Sequence, residues 1–338
     1  MQVQKDISIK PYNTFGIDVF SKFFLEIFDN QSIYEYIQTK SIFNETRLVL
    51  GGGSNVLLTQ NFDGVILKIS TKGIEKVRED ANHVYIKSQA GEVWHELVMY
   101  CIENGYAGIE NLSLIPGCVG AAPMQNIGAY GVELKSVFES LEFLHFDSGK
   151  TETFTNKDCE FGYRESIFKK QLKDKGVITT VTLKLNKKPN YVTSYGAINQ
   201  QLEQMGVSEL SIKAISEAVC AIRRSKLPDP KQIGNSGSFF KNPVIPTANF
   251  EKLKKNYPDI SGYKGEDGYT KVAAGWLIEQ AGWKGKTINN YGVHKNQALV
   301  LVNYGGATGQ EIYDLSQDII SDIEQKFGIL LEREVNII

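Results

Sequence analysis

Thr46-Arg-Leu-Val-Leu-Gly-Gly-Gly-Ser-Asn-Val-Leu-Leu-Thr59 reads as a strand, a glycine loop and a second strand, with a third at Val65 to Ile69. A dinucleotide-binding loop of the Rossmann kind needs G-x-G-x-x-G after a strand and a helix beyond it, so that the helix N-terminus faces the pyrophosphate. Here no third glycine stands at that spacing and the next segment is β. The doubly wound fold is therefore excluded for this stretch. Gly51-Gly-Gly-Ser-Asn55 still suits an anion, because consecutive backbone N–H groups without Cβ atoms form a nest. The plainer alternative is a hairpin with flexible glycines; three adjacent glycines carry an entropic penalty that favours the ligand reading.

Two further stretches are unusual. Ile115-Pro-Gly-Cys-Val-Gly-Ala-Ala-Pro-Met-Gln-Asn-Ile-Gly-Ala-Tyr-Gly131 is dominated by small residues. It either lines a large flat ligand with its backbone or packs tightly against a helix. Lys226-Leu-Pro-Asp-Pro-Lys-Gln-Ile-Gly-Asn-Ser-Gly-Ser-Phe-Phe-Lys-Asn-Pro243 has too many turn-formers for a helix. It combines Lys226, Ser236, Ser238, Lys241 and Asn242 with Phe239 and Phe240. Placed donors among aromatic walls suit an anionic small molecule; the alternative is a solvated loop with two buried phenylalanines.

The chain has 338 residues, 42% of them hydrophobic and 22% charged, which fits a soluble protein of two or three domains. A net charge of −2 gives no basic field for nucleic acid. The start, Met-Gln-Val-Gln-Lys-Asp, lacks the apolar core of a signal peptide, and no apolar run reaches spanning length. A cytoplasmic location, with no membrane or nucleic-acid partner, is the expectation. Cys101, Cys118, Cys159 and Cys220 form no C-x-x-C pair and are expected to be reduced. His95-Glu96 is not followed by a second histidine at metalloprotease spacing, so no metal site is expected.

Elsewhere, Lys10 to Gly16 is turn-rich. His83 to Gln89 is a strand, Gly91 to Asn104 a helix closed by Gly105, and Val137 to Asp147 with Thr151 to Phe154 a hairpin about Ser148-Gly149. Val177 to Leu185 is a strand, and Ser211 to Lys226 an amphipathic helix ended by Pro228. Helices are expected at Ala248 to Asn256 and Lys271 to Ala281, with an irregular polar stretch around Tyr263 between them. Gln297 to Asn303 reads as a buried strand. Thr308-Gly-Gln-Glu311 is a capping box opening a helix that runs to Phe327, with Gly328 beyond it. Ile329 to Ile338 reads as a last strand that would put Glu332 and Glu334 on one face.

Gly51 to Asn55, Ile115 to Gly131, Gly162-Tyr-Arg-Glu-Ser166, Lys226 to Pro243 and Leu331-Glu-Arg-Glu-Val335 together resemble the UDP-N-acetylenolpyruvoylglucosamine reductases, flavoproteins of bacterial peptidoglycan synthesis. The segments come in the family's order over nearly the whole chain. Tyr195 and the stretch holding Tyr263 look like the longer type of that family.

The resemblance implies an α+β chain with the FAD-binding fold of the vanillyl-alcohol-oxidase type (the PCMH superfamily) and a C-terminal substrate-binding domain. Its expected divisions are residues 1–70 and 71–218 for the two FAD-binding subdomains, with a PCMH-type domain about 16–187. Residues 219–328 would be the substrate domain, and 329–338 would return to the first subdomain or to the active site. Gly51, Gly52, Gly53, Ser54 and Asn55 would cradle the FAD pyrophosphate. Ile115, Pro116, Gly117, Gly120, Ala121, Gln125, Asn126, Gly128 and Tyr130 would line the flavin. The implied reaction takes a hydride from NADPH to flavin N5 and on to the β-carbon of the enolpyruvyl ether. Arg164 and Glu334 would stabilise the enolate-like intermediate, and Ser238 would protonate its α-carbon. Tyr195, Lys226, Asn242, Tyr263 and Gln297 would bind the substrate. The flavin would be non-covalent, since no histidine lies in either glycine-rich loop and Cys118 is the one thiol there. A monomer is expected. The family has proline between the two terminal glutamates and arginine after the valine, where this chain has Arg333 and Asn336. The competing functions are a flavin oxidase of the same superfamily and a non-catalytic nucleotide-sugar binder.

Overall fold

The computed structural model describes residues 2–195 and 197–338. By internal contacts the chain divides into two units. The first comprises the chain up to Ile7, Ser21–Gly52 and Asp63–Ser225; the second comprises Ser8–Phe20, Gly53–Phe62 and Lys226–Ile338.

In the first unit a four-stranded sheet runs Gln4–Ser8, Phe20–Ile27, Phe62–Ile69, Arg47–Leu50, with the last two strands parallel. Leu25, Ile27, Val65 and Leu67 pack there against Ile33 and Tyr36 of the helix Asn30–Gln38. Asp29 caps that helix by accepting the Ser32 amide at 2.7 Å. A five-stranded antiparallel sheet follows, ordered Thr151–Thr155, Phe138–His145, Gly176–Asn186, His83–Gln89, Ile74–Glu79. Its long central strand is buried at seven of its eleven positions. On one side it packs with Trp94, Leu97, Val98 and Cys101 of the helix Trp94–Glu103 and with Val119, Ala122, Ile127 and Leu134. The small-residue segment is thus fastened to this core by its few large apolar side chains. The helices Ile198–Gln204 and Ile212–Lys226 share a further cluster, onto which Tyr130 packs.

The second unit is built from short strands and three longer helices. Val244–Pro246, Tyr269–Val272 and Gly262–Lys264 form one antiparallel sheet, in that order. Thr287–Ile288, Tyr291–Val293 and Leu301–Asn303 form another. The helix Gly309–Phe327 starts at the full capping box of Thr308 and Glu311 and ends at Gly328 in the left-handed conformation.

Four expectations are corrected. The helix expected from Lys271 begins at Ala274, because Tyr269–Val272 is taken up as the middle strand of its sheet. The polar stretch around Tyr263 is an edge strand of that sheet. In the tail only Asn336–Ile337 form a strand, parallel to Val56–Leu57. Glu332 and Glu334 flank an isolated bridge between Arg333 and Phe240 instead. The buried run before Asn303 likewise enters its ladder only at Leu301.

Candidate active site

The loop Gly51 to Asn55 crosses the boundary between the units, and each part is fixed differently. In the first unit, a Cβ on Gly52 would lie 2.9 Å from the Gly117 Cα, so the two glycine-rich loops meet backbone to backbone. A Cβ on Gly120 would lie 2.5 Å from that of Ala90. Glycine at 52 and 120 is therefore required by packing within the protein, and at 117 by a φ of +115°, whatever else these loops contact. In the second unit, Gly53 has φ +61°, and a Cβ there would strike the Tyr12 carbonyl oxygen at 2.0 Å. Thr14 donates its amide to the Gly53 carbonyl at 3.0 Å. Among the described residues, the amides of Gly52, Gly53 and Ser54 donate to no protein acceptor. Such a run of amides suits a diphosphate, and Pro116 and Ala121 are exposed beside no long side chain of their own. The amides fit a pyrophosphate, and Pro116 and Ala121, each taken within the first unit, fit the face of a flat ring.

Of the non-glycine residues of the first unit with left-handed backbones, four lie in or beside the candidate segments: Leu114 (φ +59°), Asn126 (+43°), Tyr130 (+48°) and Arg164 (+55°). Each such conformation costs about 1–2 kcal/mol and persists where its surroundings over-determine it. The surroundings are visible. Asn126 is fully buried; its Nδ2 donates to Glu133 Oε2 at 3.2 Å and to the Gly162 carbonyl at 3.0 Å, and its Oδ1 accepts the Lys135 amide at 3.0 Å. Buried Asn111 donates to the Tyr130 carbonyl at 2.9 Å and the Val192 carbonyl at 2.8 Å. Tyr163 and Arg164 form the two-residue turn between Gly162 and Glu165, which exchange backbone hydrogen bonds of 3.0 and 3.4 Å. The Arg164 guanidinium donates to the Gly128 carbonyl at 2.7 Å. A Cβ on Gly128 would sit 2.9 Å from the Glu133 Cγ and 3.0 Å from that guanidinium, so glycine lets both side chains close on the loop. Tyr195 is exposed, and a side chain on Gly131 would touch its Cβ at 3.2 Å. Of the flavin-lining set, Gly128 is thus tied to Arg164, Asn126 to Gly162 and Tyr130 to Asn111, while Ile115 and Gln125 are half-buried on the same segment.

In the second unit, Gly234 to Lys241 runs as an irregular middle strand. On one side Gly234 exchanges backbone bonds of 3.0 and 2.8 Å with Asn303, and Phe239 donates to the Leu299 carbonyl at 2.8 Å. On the other, Glu334 donates to the Phe239 carbonyl at 2.8 Å and Lys241 to the Glu332 carbonyl at 2.9 Å. Phe239 and Phe240 are buried and edge-on to one another at 5.3 Å, which anchors the strand. Ser238 lies between them and Gly237, whose left-handed φ of +69° turns the chain into the strand. Buried Asn235 holds that turn, accepting the Gly237 amide at 3.0 Å and donating to the carbonyls of Pro228 and Ile233. Ser238 and Glu334 are therefore carried on directly hydrogen-bonded backbones.

The remaining substrate candidates differ in setting. Asn242 Oδ1 accepts the Ala274 amide at 2.9 Å, which leaves its Nδ2 as the outward donor. Lys226 and Tyr263 are exposed and Gln297 is half-buried beside Gly275. Lys241 is ion-paired with Glu332, so its ammonium is engaged by the tail. Arg333 donates to Ser316 at 2.8 Å and Gln317 at 2.9 Å and stacks on Tyr313. That explains an arginine where a proline was expected: it fastens the tail to the helix Gly309–Phe327. Among the described residues no cluster of three His, Cys, Asp or Glu side chains could hold a metal ion, and no helix is long and apolar enough to cross a membrane.

Comparison with known proteins agrees over the full length. A model of an FAD binding domain matches residues 30–155, and one of the C-terminal domain of UDP-N-acetylenolpyruvoylglucosamine reductase matches residues 229–338. The chain is 49% identical over 339 residues to the UDP-N-acetylenolpyruvoylglucosamine reductase of Flavobacterium johnsoniae, covering 100% of both chains. It is 50% identical over 338 residues to that of Amoebophilus asiaticus, again covering 100% of both. A crystal structure of the Thermus caldophilus enzyme shares the fold, with a TM-score of 0.68 at 22% identity, over 100% of this chain and 99% of that one. With half its residues shared along the entire length, this chain belongs to the UDP-N-acetylenolpyruvoylglucosamine reductase family.

Proposed function

We propose that the protein reduces UDP-N-acetylglucosamine-enolpyruvate to UDP-N-acetylmuramate, using NADPH and bound FAD, in peptidoglycan precursor synthesis. Near-half identity over the full length to two named reductases is the observation that carries this reading. FAD, when bound, supplies the hydride chemistry between NADPH and the enol ether. The chain's own residues do the rest. The amides of Gly52 to Ser54 receive the pyrophosphate, and the segment from Ile115 to Tyr130 lines the flavin ring. Arg164, held in a left-handed turn, offers a fixed cation to the negative charge that develops on the substrate carboxylate. Ser238 delivers the proton to the α-carbon, with Glu334 sharing in stabilisation of the intermediate. Lys226 and the Nδ2 of Asn242 bind the diphosphate or carboxylate, with Tyr195, Tyr263 and Gln297 around the nucleotide sugar. The protein acts as a cytoplasmic monomer on its two small-molecule substrates in turn.

An anaerobic visible spectrum of the purified protein tests the reading. A flavin band that bleaches with NADPH and returns with the enol ether supports it. A colourless protein that takes up no FAD would overturn it, and a band that bleaches without returning would point to a different acceptor.

A further inference from the structure

Leu114 immediately precedes the segment assigned to the flavin, and its left-handed backbone is gripped at both polar ends. Its amide donates to His95 Nδ1 at 3.0 Å. Its carbonyl accepts from Arg223 Nε at 3.2 Å. His95 sits on the helix Trp94–Glu103 and Arg223 on the helix Ile212–Lys226. The residue before it is locked as well: Ser113, fully buried, donates to the Glu110 carbonyl and shares a 2.7 Å hydrogen bond with Ser216. Leucine gains nothing from φ +59° on its own; a bulky residue holds that conformation where its neighbours force it. Two helices of one unit supply that force.

We propose that His95 is a positioning residue for the cofactor: as a neutral imidazole it holds Leu114 left-handed and so sets the course of Ile115, Pro116 and Gly117 into the flavin segment. The proposal rests on the FAD reading above. The chemistry is specific to one protonation state. Nδ1 accepts from an N–H, so it carries a lone pair and the ring proton is on Nε2. An imidazolium has N–H groups at both nitrogens, and would set a donor against the Leu114 amide. The charged groups acting on the ring are Glu96 on its own helix and Arg223 and Arg224 on the other. Burial, opposed by Glu96 and reinforced by the two arginines, lowers the His95 pKa below its ordinary value. The grip thus stays closed at neutral pH and opens only in acid.

The test is FAD affinity of the apoprotein, followed by flavin fluorescence from pH 8 to pH 5, in the wild type, His95→Asn and His95→Phe. Asparagine places Oδ1 where Nδ1 stands and does not titrate; phenylalanine keeps the volume without an acceptor. The wild type is expected to bind tightly at pH 7–8 and to weaken toward the acid end of the range as the imidazole takes up its second proton. His95→Asn should bind like the wild type at pH 8 and show no acid loss. His95→Phe should be about tenfold weaker at every pH, the scale of one lost hydrogen bond with its amide left unpaired. Equal affinity of His95→Phe and wild type overturns the proposal, as does an acid loss that persists in His95→Asn. If His95→Phe fails to fold, the wild-type and His95→Asn pH profiles decide alone. A wild type that binds no FAD at any pH would instead remove the FAD reading itself.

Discussion

Asn336 donates twice to the Asn55 carbonyl, from its amide at 3.1 Å and from Nδ2 at 2.9 Å. Asn55 in return donates its Nδ2 to the Glu334 carbonyl at 3.4 Å. The last residue of the glycine loop and the candidate carboxylate are thus braced by one pair of asparagines, within the second unit. Asn336 stands where the family was expected to have arginine, and it supplies its own anchorage.

Removing that brace should be felt more in turnover than in binding. Asn336→Ala deletes one of the two donations, worth about 0.5–1.5 kcal/mol. We expect kcat for enol ether reduction to fall about 3- to 10-fold, with little change in KM. Steady-state kinetics checks it; a KM rise at constant kcat would show that the brace serves ground-state binding.

Arg164 combines backbone strain with a candidate role in chemistry. Arg164→Gly relieves a left-handed conformation worth about 1–2 kcal/mol. It also loses the 2.7 Å bond to Gly128 and gains unfolded-state freedom, about 0.5–1.5 and 0.5–1 kcal/mol respectively. Stability should therefore change by no more than about 1 kcal/mol, while turnover falls by about 100-fold or more. Denaturant unfolding and kinetics on one preparation separate the two effects. A strongly destabilised variant would mean that Arg164 is chiefly structural.

Ser238→Ala separates the two halves of the reaction. The hydroxyl is proposed to act only on the enol ether, so flavin bleaching by NADPH should keep its rate. Reoxidation by the enol ether should slow by about 100- to 10,000-fold, the range of a lost general acid. Stopped-flow absorbance measures both. Unchanged reoxidation would take Ser238 out of the mechanism.

Much of this was legible in the chain, and the rest was hidden for physical reasons. The capping box of Thr308 and Glu311, the hairpin about Ser148 and Gly149 and the helix ended by Pro228 were readable because side-chain chemistry sets them locally. The helix start at Lys271 was misplaced because Tyr269 to Val272 joins strands from elsewhere in the chain, a tertiary demand that local pattern does not carry. The tail reads as a long strand, yet only Asn336–Ile337 pair as one, with Val56–Leu57, while the stretch before them is held by an isolated bridge to Phe240 and by the Arg333 side chain on Ser316 and Gln317. Among the site residues, the glycine loops announced themselves. The strain at Leu114, Tyr130 and Arg164 did not, because no glycine marks a left-handed position that is enforced by neighbours. In the sequence His95 stands out only as a possible metal ligand; its grip on Leu114 needs two segments brought together by folding.

Glu110 offers a prediction about stability and pH. It is buried, accepts the Gly108 amide at 2.6 Å, and lies near Cys101, whose thiol burial pushes well above its ordinary range. Burial raises the carboxyl pKa above its unfolded value, against the opposing pull of the Gly108 amide. A raised folded pKa means that the protonated form is favoured in the folded state. Stability is then fully present below the unfolded carboxyl pKa and declines as pH rises through the folded value. Glu110→Gln keeps an acceptor for Gly108 and removes the ionisation. The variant should melt about 2 °C or more above the wild type at pH 8, and the gap should close as pH falls toward 4. Calorimetry across that range checks the sign. A variant that melts below the wild type at pH 8 would mean that the charged carboxylate, through its bond to Gly108, contributes more than its burial costs.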